Sequence, residues 1–254
     1  MTDRALQSET PAADPPRRPI PAPPLLAIDS SGAACSVALV GGGGIRAARS
    51  ARMARGHAEA LMPMVGEVLA EAGAGYREIG CFAVTVGPGS FTGLRTGIAA
   101  ARGLALALSR PAIGVTAFEA IARAALRAAT GDGADCLVVL DPRRADLYAQ
   151  RFAPDGAALT GPLAMMPEPL VSSLGAGPLL LAGDAASSVL PLLEARGIDC
   201  RGLVAEGIAD AAVVAEIAVE RWRSTPAREL RPPRPLYLRP PDAIKPPGGG
   251  RLRP

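Results

Sequence analysis

The pattern of apolar and polar positions divides residues 25–225 into short apolar runs and longer segments of helical periodicity. Apolar runs bounded by turn residues predict strands, and apolar positions three and four residues apart predict helices. The predicted strands are 25–29, 35–40, 45–50, 81–86, 112–115, 136–140, 146–152 and 179–182. The predicted helices are 58–72, 118–128, 211–222 and one that follows the Gly-Pro-Gly turn at 87–89. Hairpins followed by helices, occurring twice, predict an α/β protein of two related lobes.

Prolines mark the ends of this predicted body. Seven of the 26 prolines precede Leu25 and nine follow Thr225. Because proline resists both helix and sheet, such ends usually stay extended. We therefore predict disordered proline-rich tails at 1–24 and 226–254, an N-terminal lobe at 25–115 and a C-terminal lobe at 116–225.

Composition and cysteine usage narrow the class of protein. A content of 49% hydrophobic and 20% charged residues in a chain of 254 is typical of a soluble protein with a substantial core. Residues 1–24 lack the apolar run of a signal peptide, and the apolar stretch 98–108 is interrupted by Arg102. The cysteines form no C-x-x-C pair and stand at Cys35, Cys81, Cys136 and Cys200. This pattern predicts free thiols in the cytoplasm, with neither disulfides nor a zinc site.

Charge is distributed unevenly along the chain. Residues 25–225 hold 17 arginines against 19 acidic side chains, whereas residues 226–254 hold six arginines and one lysine against two acids. Any electrostatic attraction to nucleic acid would therefore come from the C-terminal tail. A basic tail that is simply exposed to solvent, with no nucleic-acid partner, would have the same composition.

The helix after the Gly-Pro-Gly turn carries small residues at steps of four, namely Gly93, Gly97, Ala101 and Ala105. This spacing places them on one face of the helix. Glycine inside a helix costs about 0.8–1 kcal/mol relative to alanine, so the stripe indicates close approach of another backbone. That backbone belongs either to the sheet of the same chain or to a partner.

Five segments resemble the TsaB family of the Gcp-like superfamily. They are LLAIDSSGAACSVALV (25–40), RGHAEALMPMVGEVLAEAG (55–73), VTVGPGSFTGLRTGIAAARGLA (84–105), LDPRRADLYAQRF (140–152) and PLYLRPPDA (235–243). The resemblance implies the actin-like, sugar-kinase-type ATPase fold with two RNase H-like lobes. It further implies a dimerization subunit that pairs with the catalytic paralogue TsaD, alongside the ATPase TsaE, in tRNA threonylcarbamoyladenosine modification next to the anticodon. In this role the chain would contact tRNA only as part of the complex. The resemblance leaves open whether the chain forms a homodimer by itself.

The resemblance also implies where the partner docks, since the paralogues pair through helices that match 57–72 and 91–108. The small-residue stripe offers a flat face, and apolar side chains of the first helix offer an adaptable one. The predicted partner interface is Leu61, Met62, Val65, Leu69, Gly93, Gly97, Ala101 and Ala105.

Metal binding is not expected, because the catalytic paralogue holds its metal with an H-x-x-x-H pair on the helix matching 57–72. Here the second position is Leu61, and His57 is the only histidine in the chain. One histidine cannot grip a transition metal alone, so we predict no catalytic residues and no metal.

Nucleotide contact is an open expectation from the same resemblance, which places two turns near ATP phosphates. Backbone N–H groups at a glycine turn that opens a helix suit an anion. The candidate contacts, weak and at an interface with the partner, are Asp29, Ser30, Ser31, Gly87, Gly89 and Ser90. The same turns are equally explained by folding requirements.

Two other activities compete with the subunit role. A peptidase is disfavoured because the lone histidine leaves no second metal ligand, and no G-x-S-x-G elbow surrounds a serine. A small-molecule kinase of the actin-like fold would need a catalytic aspartate, for which Asp29, Asp141 and Asp184 are available at predicted strand ends. The sequence therefore favours a non-catalytic subunit, with a kinase or ATPase as the alternative.

Overall fold

A computed structural model describes residues 23–129, 133–204, 206–225 and 229–239. The predictions for residues 1–22, 226–228 and 240–254 lie outside the described residues. Within the described ranges the chain forms two five-stranded sheets.

The first sheet is built from residues 25–115. Its strands are β1 (Leu25–Asp29), β2 (Ala34–Gly41), β3 (Gly44–Arg52), β4 (Cys81–Thr85) and β5 (Ala112–Val115). They lie in the order β3-β2-β1-β4-β5, with β1, β2 and β3 antiparallel and β1, β4 and β5 parallel. Because Ile28 pairs with Val84, the carboxyl ends of β1 and β4 lie side by side.

The second sheet repeats this arrangement. Its strands are β6 (Asp135–Leu140), β7 (Leu147–Phe152), β8 (Leu163–Met165), β9 (Leu179–Ala182) and β10 (Cys200–Val204). The central strand β6 has the antiparallel strands β7 and β8 on one side and the parallel strands β9 and β10 on the other. Both sheets thus follow the RNase H-like order, which confirms the predicted α/β class and the actin-like fold.

Six helices cover the sheets. They are α1 (His57–Glu71), α2 (Phe91–Ala107), α3 (Ala117–Ala128), α4 (Pro167–Ser172), α5 (Ala186–Ala195) and α6 (Ala211–Ser224), and a 3₁₀ turn spans Tyr76–Glu78. Helices α1 and α2 cover one face of the first sheet, and α6 covers its other face. Helices α4 and α5 cover the outer face of the second sheet. We call the first sheet with α1 and α2 the first lobe, and the second sheet with α4 and α5 the second lobe.

Helices α3 and α6 join the two lobes. Each begins at a side-chain cap: Thr116 Oγ1 accepts the Glu119 N–H at 3.1 Å, and Asp210 Oδ1 accepts the Ala212 N–H at 2.7 Å. Their apolar faces share one buried cluster with Ala83 of the first sheet and Val138 of the second. The lobes therefore have a continuous core on this side of the molecule.

Four elements were not predicted from the sequence: β8, α4, α5 and β10. Strand β8 has only three residues, all half-buried, and α4 has six residues that include two prolines. Pro191 lies inside α5, and β10 alternates half-buried and exposed positions. Such short segments carry too little periodicity to separate from loops.

The four cysteines are free thiols, as predicted, with Cys35, Cys81 and Cys136 buried and Cys200 half-buried. In the described ranges, no helix is both long enough and apolar enough to cross a membrane.

Candidate functional site

A cleft of about 950 Å³ lies between the two lobes, and Ala117 and Leu140 of their shared core form part of its lining. Its first-lobe wall includes Ser31, Gly89 and Ser90, which follow β1 and β4. Its second-lobe wall includes Asp141 and Asp184, which follow β6 and β9. Ligands of open α/β sheets bind at the carboxyl ends of strands, so this cleft is the candidate site.

The turn after β1 is anchored beneath the cleft. Asp29 is buried, and its Oδ1 accepts hydrogen bonds from the backbone N–H of Ser31 at 3.2 Å and from the Ser31 hydroxyl at 2.7 Å. The hydroxyl of Ser30 donates to the carbonyl oxygen of Gly93 at 2.8 Å. The Ser31 carbonyl accepts the Ser90 N–H at 2.7 Å. These bonds join the turn to the start of α2.

Burial raises the pKa of Asp29 from 3.8 to about 6, although its hydrogen bonds from Ser31 oppose the change. The hydroxyl of the neighbouring Thr85 also contacts the Asp29 carboxyl group and, like Ser31, acts to lower its pKa. Burial outweighs the contacts from Ser31 and Thr85, and the pKa of Asp29 therefore stays above its usual value.

The Gly-Pro-Gly turn is shaped by close approach to the turn after β1. A Cβ at Gly89 would overlap the carbonyl group of Ser31. The following Ser90 caps α2, since its hydroxyl accepts the Gly93 N–H at 3.3 Å. The Gly87–Pro88 peptide is cis.

The six candidate nucleotide contacts therefore divide into two layers. Ser31, Gly89 and Ser90 line the cleft. Asp29, Ser30 and Gly87 are buried beneath it and are occupied with intramolecular packing and hydrogen bonds. Ser31 is only 3% exposed and its hydroxyl donates to Asp29, whereas Gly89 and Ser90 are exposed. Gly89 and Ser90 are therefore the candidates best placed to meet a ligand in the cleft, and such a contact stays a prediction.

The second-lobe wall holds two of the aspartates considered for a kinase. Oδ1 of Asp184 accepts the Asp141 N–H at 2.9 Å, and Oδ1 of Asp141 accepts the Arg143 N–H at 2.6 Å. These bonds fix the two turns against each other. Asp29 does not join them, because it lies under the first-lobe wall.

The stripe of small residues lies in the core of the chain, and this corrects its assignment to the partner interface. Ala101 and Ala105 are buried, and so are Gly93 and Gly97. A Cβ at Gly97 would lie 2.6 Å from the Ser30 hydroxyl oxygen, and one at Gly93 would overlap the Ser30 carbonyl. The backbone that approaches the stripe is therefore the turn after β1, not a partner.

Three of the four apolar residues assigned to the interface on α1 need the same correction. Leu61, Val65 and Leu69 are buried against the first sheet, because they form the inward face of the helix. Met62 is 41% exposed and faces outward. One sheet thus buries the inward faces of both helices, which the sequence analysis had not expected.

His57 lies at the first turn of α1, where its Nε2 is 3.1 Å from the carbonyl oxygen of Gly32 and can donate a hydrogen bond to it. Leu61, one turn later, is buried. No group of three or more His, Cys, Asp or Glu side chains able to hold a metal occurs within the described part of the chain.

The segment 229–239 lines the cleft and was missed as part of the body. Its prolines had predicted a disordered tail at 226–254. Leu236, Tyr237 and Arg239 instead form part of the cleft wall. Leu230 and Leu238 pack against the shared core, so the folded body extends past the predicted end at residue 225. The available signal was the apolar pattern of PLYL inside the proline-rich stretch.

Comparison with known proteins shows which family the chain resembles. The family model for TsaD, described as tRNA N6-adenosine threonylcarbamoyltransferase, matches residues 47–170. The chain is 38% identical over 131 residues to the Escherichia coli tRNA threonylcarbamoyladenosine biosynthesis protein TsaB, covering 52% of this chain and 55% of that one. It is 36% identical over 194 residues to an uncharacterized protein of Mycobacterium tuberculosis, covering 75% of this chain and 78% of that one. The chain belongs to the TsaB family of the Gcp-like superfamily.

Solved structures agree with this family. YeaZ from Pseudomonas aeruginosa matches with a TM-score of 0.72 and 28% identity, covering 85% of this chain and 100% of that one. A second Pseudomonas aeruginosa structure, described as similar to peptidase YeaZ, gives a TM-score of 0.75 at 28% identity, covering 86% and 100%. The sequence match to the Escherichia coli TsaB spans about half of that relative's length.

Proposed function

We propose that this TsaB-family chain is a non-catalytic subunit that pairs with the catalytic paralogue TsaD in tRNA threonylcarbamoyladenosine modification. TsaE would act in the same complex, and tRNA would be met through it, in the cytoplasm. The Escherichia coli and Haemophilus influenzae relatives are both named as tRNA threonylcarbamoyladenosine biosynthesis proteins, which supports a role in making this tRNA modification. The match of residues 47–170 to the TsaD family supports common ancestry of this chain and its proposed partner.

The observation that carries the proposal is the exposed surface of α1 and α2 that faces away from the first sheet. We call it the α1–α2 outer face. Its small or apolar exposed members are Met62, Pro63, Gly66, Ala70, Ala99, Gly103 and Leu106, and the charged side chains of Glu59, Arg95 and Arg102 are exposed on the same helices. Leu106 is 83% exposed, more than any other large apolar side chain of the described ranges. A surface of this kind on paired helices suits a protein partner.

Two glycines in this face have no packing role among the residues that the structure describes. A Cβ at Gly66 or at Gly103 would meet nothing within 4 Å. Each costs its helix about 0.8–1 kcal/mol relative to alanine. Close approach of a partner helix would explain both, just as the turn after β1 explains Gly93 and Gly97. The proposal therefore moves the interface from the buried stripe to the outer face and retains Met62.

The proposed absence of catalysis is supported by the first turn of α1. The only histidine of the chain is engaged at its Nε2 by the Gly32 carbonyl. The position of the second ligand in the paralogue's H-x-x-x-H pair is the buried Leu61.

Light scattering after size exclusion tests the pairing. The chain is mixed with TsaD of its own organism, and we expect a one-to-one complex. Gly103→Arg should abolish it, because a long charged side chain would stand in the outer face. Ala195→Arg is the matched control, since Ala195 is also exposed near the end of a helix but lies on α5 of the second lobe. Equal pairing by both variants would refute the outer face as the interface.

Three further measurements separate the remaining alternatives. Threonylcarbamoyl transfer to tRNA should require this chain together with TsaD and TsaE. ATP hydrolysis or sugar phosphorylation by the chain alone would instead favour the kinase alternative. The mass of the chain without TsaD shows whether a homodimer forms, and loss of that dimer in Gly103→Arg would assign it to the same face.

A further inference from the structure

The segment 229–239 runs along the first lobe before it reaches the second. Pro233 is buried near Gly114 of β5, and the Leu236 N–H donates a 2.7 Å hydrogen bond to the carbonyl oxygen of Val86. Leu238 packs against the core that the lobes share. The segment is thus held to the first lobe by backbone and apolar contacts.

Glycines of the first lobe make room for this path. A Cβ at Gly114 would lie 2.7 Å from the Val86 side chain and 3.4 Å from that of Pro233, and one at Gly87 would lie 3.1 Å from the Leu94 side chain and 3.2 Å from the Leu236 carbonyl oxygen. Gly87 also has a φ of 112°, which side-chain-bearing residues rarely adopt. The surface is therefore shaped to receive the segment closely.

Tyr237 forms the first anchor at the mouth of the cleft. Its ring stacks on Phe91 with centroids 6.0 Å apart, and its hydroxyl accepts a 3.1 Å hydrogen bond from Arg95 Nε. The Arg95 guanidinium lies 3.7 Å from the Phe91 ring centroid. Ring stacking and a cation over a ring both favour keeping Tyr237 against the first lobe.

Arg239 forms the second anchor, and it lies on the other lobe. Its Nε is 2.9 Å from Oδ2 of Asp146, in the turn between β6 and β7. The Asp146 side chain is only 5% exposed. A carboxylate buried this deeply is costly without a cationic partner, so the pair favours keeping Arg239 in place.

We propose that residues 229–239 act as a clasp that closes the open side of the interlobe cleft. The shared core of α3 and α6 joins the lobes, and the clasp adds a second connection across the cleft, from Phe91 of the first lobe to Asp146 of the second. With both anchors seated the cleft keeps its closed form, and their release lets the lobes separate at the mouth. The clasp does not depend on the proposed pairing function.

Distance measurement across the cleft tests the clasp in the full chain. Nitroxide labels are placed by Ala54→Cys in the first lobe and Ser187→Cys in the second, both at exposed positions, in a Cys200→Ser background. The other three cysteines are buried. Pulsed electron–electron double resonance then compares the label-to-label distance in two double variants. They are Tyr237→Ala/Arg239→Ala, the alanine pair, and Tyr237→Phe/Arg239→Lys, the conservative pair. The second pair keeps the aromatic ring and the positive charge.

Hydrogen exchange of the Leu236 amide reports in parallel whether the segment stays bound to Val86. We expect the alanine pair to lengthen and broaden the distance distribution and to speed Leu236 exchange about tenfold or more. The conservative pair should stay close to the parent in both measurements. If the alanine pair unfolds, Arg239→Ala and Tyr237→Ala are measured singly.

Two outcomes would overturn the clasp. In the first, Leu236 loses its protection while the interlobe distance stays unchanged, so the segment binds without closing the cleft. In the second, both measurements stay at parent values in the alanine pair, so the anchors do not hold the segment.

Discussion

The hydroxyl of Ser30 donates a 2.8 Å hydrogen bond to the carbonyl oxygen of Gly93, 63 residues further along the chain. The same two residues are so close that a Cβ at Gly93 would overlap the Ser30 carbonyl. The turn after β1 therefore rests directly on the first turn of α2. This contact sets the positions of Ser31, Gly89 and Ser90 at the cleft wall.

Two helix glycines on opposite faces of α2 should respond in opposite ways to alanine. Gly97→Ala places a methyl group 2.6 Å from the buried Ser30 hydroxyl, and overpacking of this kind costs about 1–3 kcal/mol. Gly103→Ala meets open space and should stabilise the monomer by about 0.5–1 kcal/mol. Urea denaturation measures both changes. Stabilisation by both substitutions would show that the stripe is not tightly packed.

Asp29→Asn should stabilise the protein at neutral pH. Burial raises the pKa of Asp29 in the folded state to about 6, against 3.8 for the free group. The stability that the protonated acid contributes is therefore present below about pH 4 and is lost as the pH rises toward 6. The full loss is about 3 kcal/mol, and asparagine avoids it because it never ionises.

The Asp29 prediction is checked by the difference in unfolding free energy between Asp29→Asn and the parent at pH 4.5 and pH 7.5. We expect the difference to favour the variant more at the higher pH. Asp155→Asn is the control, since Asp155 lies in an exposed turn. A pH-independent difference for Asp29→Asn would mean that the carboxyl group titrates normally in the folded protein.

Thr116→Ala should lower stability through loss of the cap of α3. Thr116 and Glu119 satisfy each other's backbone N–H groups at the start of this helix, which packs between the lobes. Removing such a cap costs about 0.5–2 kcal/mol. Thr96→Ala is the comparison, because the Thr96 hydroxyl bonds back to the Thr92 carbonyl within α2 and should be nearly neutral. Denaturation midpoints that fall equally would contradict the capping role.

Thiol labelling of the native protein should be confined to Cys200. Burial raises the pKa of Cys35 to about 11 and those of Cys81 and Cys136 to about 12, which suppresses the reactive thiolate. Cys200 is half-buried, and burial together with nearby acids raises its pKa as well, so its reaction should be slow. One equivalent of released thionitrobenzoate is expected before unfolding and four after it. Two or more equivalents in the native state would contradict the burial of the other three.

Much of the fold could be predicted from the sequence because its main elements are long or fully buried. Strands β1 and β4 are continuous apolar runs, and α3 and α6 carry both periodicity and caps. The segments that were missed have weak patterns for their length. The candidate site was predicted less well, since only half of the proposed nucleotide contacts reach the cleft.

The sequence by itself determined the α/β class, the strand–turn–helix order around the Gly-Pro-Gly turn and the family, because these depend on local periodicity and on contiguous motifs. Only the tertiary structure decided which face of a helix is free. Small residues at steps of four have the same pattern whether they meet a sheet or a partner, and the contact of Ser30 with Gly93 and Gly97 settles it. The position of residues 229–239 was likewise decided by the tertiary structure, because Phe91 and Asp146 contact this segment only after both lobes have formed.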